Sequence, residues 1–212
     1  MSDNLEYVIS GYKKFRQKYF EGSDNLYENL KKGQKPKVLV IACSDSRVDP
    51  AIILNCKPGD LFVVRNVANL VPPYENDGGH HGTSAALEFG ILSLGIKHII
   101  VLGHSSCGGI GALVEDSLKI KEENFISKWM EIAKPALQKT IENYPEVSIK
   151  EQVSHCTKFA LINSLNNLLT FPWIKEKAQI KELSVHSWYF NLNNGIIEEF
   201  DEKKQEFIDL KI

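Results

Sequence analysis

Two cysteines and one histidine have the residue types and spacing best suited to chemistry in this sequence. Sixty residues lie between Cys43 and His104, and two lie between His104 and Cys107. Thiolate and imidazole are the ligands that zinc prefers. A structural zinc usually has four protein ligands, whereas a catalytic zinc has three and leaves one position open. The spacing therefore predicts one Zn²⁺ per chain, held at a catalytic site.

A competing interpretation is that these cysteines are buried core residues, as isolated cysteines often are. The His-x-x-Cys pair and the place of both motifs after apolar runs favour the metal site. Gly108 and Gly109 follow Cys107 and let the backbone pass close to an ion, and Gly108 is also expected to contact the substrate. Cys56 and Cys156 lack partner spacing and are predicted to lie outside the site.

The elements that must position the ligands follow from the hydrophobic pattern. Short apolar runs predict strands at 37–42, 60–67, 98–103, 183–190 and 196–200, and helical periodicity predicts helices at 5–20, 82–94, 110–118, 124–144 and 151–169. Strands that alternate with helices form parallel sheets. Because active sites in such sheets lie beyond the carboxyl ends of the strands, we expect Cys43 to meet His104 and Cys107 there.

The expected fold class is α/β, with a mostly parallel β-sheet core flanked by helices, an N-terminal helical arm and a C-terminal β-hairpin. The turn 193–195, Asn-Asn-Gly, indicates the hairpin. Residues 1–30 are expected to form the arm, and residues 31–212 a single zinc-binding catalytic domain.

The composition excludes several classes of partner. The chain has 212 residues, of which 43% are hydrophobic and 25% charged, and this suits a globular α/β domain. A net charge of −2 gives no attraction for nucleic acid, and no apolar run is long enough for a membrane span. The first residues lack the apolar core of a secretory signal, and a cysteine-based metal site suits a reducing compartment. We therefore expect a cytoplasmic protein with neither nucleic acid nor membrane as a partner.

The sequence around these ligands resembles the β-class carbonic anhydrases. The resemblance is carried by Cys-Ser-Asp-Ser-Arg at 43–47, His-Ser-Ser-Cys-Gly-Gly at 104–109 and, in the plant-type branch, FVVRNVANLVPPY at 62–74. Residues 163–172 resemble the closing helix of the family, and the likeness covers residues 30–200. It implies zinc-dependent, reversible hydration of CO2 to bicarbonate and a proton, in a homodimer or higher homo-oligomer.

The resemblance also gives roles to Asp45 and Arg47. In the family, the aspartate accepts a hydrogen bond from the zinc-bound hydroxide, and the arginine pairs with the aspartate and keeps it ionised. On spacing alone, the two residues could equally form a surface turn. In some members the aspartate itself binds zinc and closes the site. Those members tend to carry tryptophan where this chain has Val40, so the open form is expected here.

Contacts to the substrate are implied in the same way. Gln34 matches a glutamine that hydrogen-bonds the substrate oxygen, and Phe62 and Val67 match an apolar pocket wall that comes from a partner subunit. Phe89, where plant-type members often have tyrosine, is expected to add to that wall.

The proton route is left open by one departure from the plant-type pattern. Ser93 stands where plant-type members often have histidine. His80 or His81, in a polar loop, could take over this role, because an unperturbed imidazole titrates at about pH 6.5.

Two other functions stay open at this point. Relatives with this fold hydrolyse carbon disulfide or carbonyl sulfide, and they differ mainly in access to the site. A zinc-stabilised assembly protein without turnover would lack the Asp45–Arg47 pair or would carry a fourth protein ligand.

Overall fold

The computed structural model describes residues 5–22, 26–115 and 124–211. The chain divides into two compact units, Met1–Lys35 and Pro36–Ile212.

The first unit is helical. Helix α1 spans Glu6–Arg16, a π-helical turn continues it over Gln17–Glu21, and α2 spans Leu26–Leu30. The helix predicted at 5–20 is therefore confirmed. Four aromatic rings pack together with centroid distances between 4.9 and 6.1 Å; they belong to Phe15, Tyr19, Phe20 and Tyr27. No described residue of α1, the π turn or α2 is buried, and Tyr7, Ile9 and Tyr12 leave more than half of their surface exposed.

The second unit is built on a six-stranded sheet with the order β2-β1-β3-β4-β5-β6. The strands are β1 Val38–Cys43, β2 Leu61–Asn66, β3 His98–His104, β4 Ser184–Phe190, β5 Ile197–Asp201 and β6 Glu206–Asp209. Strands β1 to β4 pair in parallel, whereas β5 and β6 pair antiparallel. The predicted α/β fold, its mostly parallel sheet and its C-terminal hairpin are confirmed. Strand β6 extends the hairpin and was not predicted.

Helices connect and flank the strands. They are α3 Pro50–Ile53, α4 Gly82–Glu88 with a π-helical turn at Phe89–Ser93, α5 Gly108–Val114, α6 Phe125–Met130, α7 Lys134–Asn143, α8 Ile149–Leu168 and α9 Pro172–Gln179. Within the described ranges, no helix is both long and apolar enough to cross a membrane. Of the helix predicted at 110–118, the last three residues lie outside the described part of the chain.

The continuous helix predicted at 124–144 is wrong, because the structure breaks it into α6, a short 3-10 turn at Glu131–Ala133 and α7. Pro135 lies in the first turn of α7. Proline has no backbone N–H and is tolerated in the first helical turn but not in the interior, so it starts a new helix here.

The centre of the sheet is buried on both faces. Leu39 and Ile41 of β1 pack with Leu161 of α8 on one face, whereas Val40 and Ala42 face the other side. Ala42 pairs with Leu102, so β1 and β3 end side by side at the same edge. This register brings Cys43 and His104, the last residues of the two strands, next to each other.

Candidate metal centre

Cys43, His104 and Cys107 come together at the carboxyl end of the parallel strands. Their candidate ligand atoms all lie within 4.8 Å of one another, and the two Sγ atoms are 4.0 Å apart. Each side chain is almost completely buried, with 5%, 1% and 1% of its surface exposed. Cys43 ends β1, His104 ends β3, and Cys107 is the N-cap of α5. The parallel register therefore brings together Cys43 and His104, which have sixty residues between them in the chain.

The imidazole of His104 is oriented for a metal ion. Its Nδ1 lies 2.9 Å from the carbonyl oxygen of Ser105, which can only accept, so Nδ1 carries the hydrogen. Nε2 then has a free lone pair, and it is buried without a hydrogen-bond partner. A buried polar atom left unpaired is costly. A zinc ion would satisfy this nitrogen and the two sulfurs together, so the residues present fit this metal.

The two thiols influence each other's ionisation. A hydrogen bond from Cys107 lowers the pKa of Cys43 well below its ordinary value, and the backbone amides of Asp45 and Ala68 add to this effect. The pKa of Cys107 is raised, because its proton is held in the hydrogen bond to Cys43 and because burial disfavours a second thiolate. A cation at the centre would release that remaining proton, since thiolates are the form that binds metals.

The start of α5 approaches a strained turn at 67–69. Ala68 and Asn69 both have left-handed backbone conformations, with φ of 62° and 48°. A Cβ on Gly109 would lie 2.9 Å from Cγ1 of Val67, closer than a side chain can be placed without a shift. The backbone amides of Ile110 and Gly109 face the Cys107 sulfur and favour its thiolate. A glycine at 109 thus allows the two segments to approach closely around the ligands.

Asp45 and Arg47 form a two-pronged ion pair beside the ligands. Nε and Nη2 of Arg47 donate to Oδ1 and Oδ2 of Asp45 at 2.9 and 2.7 Å, and the backbone N–H of Arg47 donates to Oδ1 at 3.0 Å. These hydrogen bonds hold the pKa of Asp45 well below its ordinary value. Nη2 of Arg47 also donates to the carbonyl oxygen of Ser106 at 3.0 Å. Asp45 Oδ2 lies 3.8 Å from Nε2 of His104, so an ionised carboxylate borders the ligand cluster.

Arg65 is a site residue that the sequence pattern did not reveal. Its Nε donates to the carbonyl oxygen of Cys43 at 3.0 Å, and its Nη2 donates to those of Asp45 and Val48 at 2.7 and 3.2 Å. Nη1 also contacts Oδ2 of Asp49 at 3.4 Å. Arg65 therefore fixes the backbone on both sides of Asp45. The available signal was a charged residue inside the apolar strand β2, because such a residue requires partners.

Val67 and Gly108 lie close to the ligands. Val67 follows β2 directly and leaves 38% of its surface exposed, and Nε1 of Trp129 donates to its carbonyl oxygen at 2.8 Å. Gly108 and Cys107 line a cavity of about 470 Å³. The position of these two residues agrees with a role at the substrate, which stays a prediction.

The other predicted substrate contacts lie elsewhere. Phe62 pairs with Leu39, four residues before Cys43, so Phe62 is set back about 13 Å from the carboxyl end of the sheet. Its ring lies 6.2 Å from that of Phe89, which is 48% exposed. Gln34 is exposed and belongs to the first unit. The pocket roles of these three residues also stay predictions.

The loop that carries His80 and His81 contains a local ion pair. Nε2 of His81 lies 2.6 Å from Oδ1 of Asp77. This hydrogen bond raises the pKa of His81 above its ordinary value. His81 is therefore held by its own loop, and the role of His80 or His81 in proton transfer stays a prediction.

Known proteins are similar to this chain in sequence and in structure. The sequence model of the family described as carbonic anhydrase matches residues 38–197. Beta carbonic anhydrase 3 of Arabidopsis thaliana is 38% identical over 195 residues, which are 91% of this chain and 75% of the relative. This chain therefore belongs to the carbonic anhydrase family, and the resemblance noted in the sequence is confirmed.

Solved structures agree with this membership. The β-carbonic anhydrase CcaA has a TM-score of 0.91 and 33% identity, over 98% of this chain and 92% of that chain. A structure from a study of two tetrameric β-carbonic anhydrases of the filamentous ascomycete Sordaria macrospora has a TM-score of 0.80 and 29% identity, over 92% and 95% of the two chains.

Proposed function

We propose that this protein catalyses the reversible hydration of carbon dioxide to bicarbonate and a proton, with one zinc ion per chain at Cys43, His104 and Cys107. Family membership supports the reaction. The observation that carries the site is the buried cluster of three ligands in which Nε2 of His104 has no other partner. Bound zinc supplies Lewis acidity, which makes water a nucleophile near neutral pH.

The chain's own residues orient that chemistry. Arg47 holds both oxygens of Asp45, so the carboxylate stays ionised and keeps a fixed direction beside the cluster. An ionised carboxylate can only accept hydrogen bonds, and it therefore orients the attacking water by its hydrogen. Both oxygens of Asp45 accept hydrogen bonds from Arg47, so they are less available to bind a metal. This geometry supports the open form of the site, in which the fourth ligand position is left to solvent.

Apolar side chains are proposed to place the substrate. Val67 and Gly108 border the cluster within one chain. The ring of half-buried Phe62 lies beside that of exposed Phe89, and we assign this apolar pair to the pocket wall of a partner subunit. Gln34 is proposed as a donor to the substrate oxygen. The tetrameric relatives of Sordaria macrospora support a homodimer or higher homo-oligomer.

Two other candidate functions are not favoured. Hydrolysis of carbon disulfide or carbonyl sulfide finds no support among the relatives described above, which are carbonic anhydrases. A non-catalytic, zinc-stabilised assembly protein would not need the Asp45–Arg47 ion pair.

Stopped-flow CO2 hydration and metal analysis of the same samples test the proposal, with carbon disulfide as the comparison substrate. Cys43→Ser should lose activity and retain less zinc, because a catalytic site needs its three protein ligands. Cys56→Ser, a matched control, should keep both. Full zinc and full activity in Cys43→Ser would show that the ligand assignment is wrong.

Asp45→Asn separates the open form from the closed one. In the open form this variant keeps its zinc but loses much of its turnover, since the amide cannot act as the ionised acceptor. A gain of activity at neutral pH would instead identify Asp45 as an inhibitory ligand.

We also propose the cytoplasm as the compartment. The four cysteines are free thiols in the structure, and two of them would serve the metal only if they are kept reduced. Fractionation of cells with an antibody to the chain would test this, and recovery in an oxidising compartment would contradict it.

A further inference from the structure

Four side chains form a hydrogen-bonded chain at the end of the sheet opposite the metal centre. Oγ of Ser184 lies 2.8 Å from Nε2 of His186, and Nδ1 of His186 lies 2.6 Å from Oε1 of Glu199. Nδ1 of His98 lies 2.8 Å from the same Oγ. His98 begins β3, which ends at His104, so the two ends are about 20 Å apart. This cluster is separate from the site already described.

The direction of each hydrogen bond follows from the groups present. The Glu199 carboxylate only accepts, so Nδ1 of His186 carries a hydrogen and Nε2 has a lone pair. The Ser184 hydroxyl therefore donates to Nε2 of His186, and its oxygen can accept from Nδ1–H of His98. Hydroxyl, imidazole and carboxylate are then connected as nucleophile, base and orienting group, the arrangement that activates a serine.

The cluster is open to solvent and has an apolar border. The His186 and Glu199 side chains are 33% and 32% exposed, and His98 is exposed as well. In the sheet register, Ser184 pairs with His98, and His98 pairs with Val38 on its other side. Val38 in turn pairs with Leu61, and both of these apolar residues are half-buried. Paired residues point to the same face, so a small apolar group can lie on this strip beside the hydroxyl.

We propose that Ser184 is a nucleophile for small carboxylic esters, in a second site that acts independently of the metal centre. His186 is the general base and Glu199 orients it. Nδ1–H of His98, which contacts Oγ of Ser184 in the resting site, shifts to the adjacent oxyanion as its charge develops. The chemical class of substrate is an ester with a small acyl group and a good leaving group, because the site is a shallow strip of the sheet surface.

The reaction is acyl transfer in two steps. Oγ of Ser184 bonds to the carbonyl carbon while its proton moves to Nε2 of His186, and the carbonyl electron pair moves to oxygen, where His98 donates a hydrogen bond. Collapse expels the alcohol oxygen, which takes the proton from His186, and leaves an acyl ester on Ser184. A water that loses its proton to His186 then attacks this ester, releases the carboxylic acid and restores the hydroxyl.

The test is acetylation of the zinc-loaded full chain by p-nitrophenyl acetate, followed by peptide mass spectrometry. Ser184 should be acetylated at least tenfold faster than Ser93, an exposed serine that serves as the reference in the same sample. His186→Gln should lower the rate by a factor of at least 100, the lower end of what a general base contributes. Glu199→Gln should lower it less. Equal rates at Ser184 and Ser93 in the unmodified protein would overturn the proposal without any variant.

Hydration of CO2 is measured on the same samples. Ser184→Ala should lose the acetylated peptide and keep its hydration rate, because it lies at the far end of the sheet. If Ser184 is acetylated at the wild-type rate in the His186→Gln variant, the four hydrogen-bonded side chains have a structural role only and the proposal is wrong. Since the two activities have separate readouts, failure of acylation leaves the proposed hydration untouched, and the reverse also holds.

Discussion

Arg65 shows how one side chain can organise a site that it does not enter. Its hydrogen bonds to the carbonyl oxygens of Cys43, Asp45 and Val48 tie the end of β1 to the loop that presents the carboxylate. A guanidinium suits this task because its donors are arranged in a rigid plane. Arg65 is therefore a positioning residue for Asp45.

Replacement of Arg65 by lysine should lower kcat with little change in KM. Lysine keeps the charge but cannot reach several carbonyl oxygens at once, and a misplacement of about 1 Å can cost about 100-fold in rate. We expect a fall of about 10- to 100-fold in stopped-flow hydration, with zinc content retained.

Lys204→Gln, a change at an exposed residue of the β5–β6 turn, is the control and should have no effect. A wild-type kcat in Arg65→Lys would show that the backbone around Asp45 holds its position without the guanidinium.

Side chains that act through their own chemistry could be found from the sequence, whereas those that act through backbone contacts could not. Cys43, His104 and Cys107 are recognisable because their residue types and spacing match a metal. Arg65 donates hydrogen bonds to backbone carbonyl oxygens, which every residue has, so no sequence pattern identifies its partners. Its role became visible only with the register that places it beside Ala42.

At the scale of elements, the approach of α5 to the turn at 67–69 depends on Gly109. A methyl group at this position would meet Cγ1 of Val67 at 2.9 Å and Cβ of Ala68 at 3.3 Å. Gly111, two residues further along α5, has no atom within 4 Å of such a group outside the backbone of its own helix.

Gly109→Ala should destabilise the protein by about 1–3 kcal/mol, the usual cost of overpacking, and should lower zinc retention. Gly111→Ala should stabilise it by about 0.5–1 kcal/mol, because alanine is the better helix former. Urea unfolding of both variants measures the two effects. Equal free energies of unfolding for the two variants would show that the turn at 67–69 can move away from α5 at no cost.

The packing of α7 against α8 contains a titratable pair. The ring of His155 stacks on that of Tyr144 at 3.6 Å, with an angle of 8° between the planes. Burial lowers the pKa of His155 below its ordinary value of 6.5. The unfolded chain therefore binds a proton more readily than the folded one below pH 6.5, so folding stability falls as the pH falls from 6.5 toward the lowered pKa.

His155→Phe should weaken this dependence, since phenylalanine keeps the stacked ring and does not titrate. The measurement is the urea midpoint at pH 7.5 and at pH 5.5, and the difference between the two should be smaller in the variant. An unchanged difference would mean that other groups cause the acid sensitivity.

Long periodic elements were predictable, and short or interrupted ones were not. Helix α8 extends over twenty residues and begins with a capping box at Ser148 and Glu151, so both its pattern and its start are encoded locally. Strand β6 has four residues and lies at the edge of the sheet, where few contacts constrain the pattern. The break at Pro135 was missed because the apolar periodicity continues across it.

At the scale of the whole molecule, the first unit contains too little core to be stable by itself. Its described helices have no buried residue, and units below about 40 residues usually need additional support. Its exposed apolar residues include Tyr7, Ile9 and Tyr12. These side chains fit a role in holding subunits together.

Deletion of residues 1–20 should lower both the oligomer mass and the hydration activity. We propose that the apolar surface of α1 contacts a neighbouring subunit, and the proposed pocket also needs residues from a neighbour, so the deletion should affect both quantities. Light scattering and stopped-flow hydration measure the two quantities, and a fully active monomer would contradict the proposal.

The length of β3 determines whether substitutions at its two ends affect each other. His104 at one end and His98 at the other are about 20 Å apart, more than twice the distance of about 8 Å over which salt screens charge at physiological ionic strength. Substitutions so far apart, with no shared partner, combine additively in free energy. A double-mutant cycle between the two ends should therefore give an interaction energy near zero. The strand thus lets selection alter either end while the other keeps its properties.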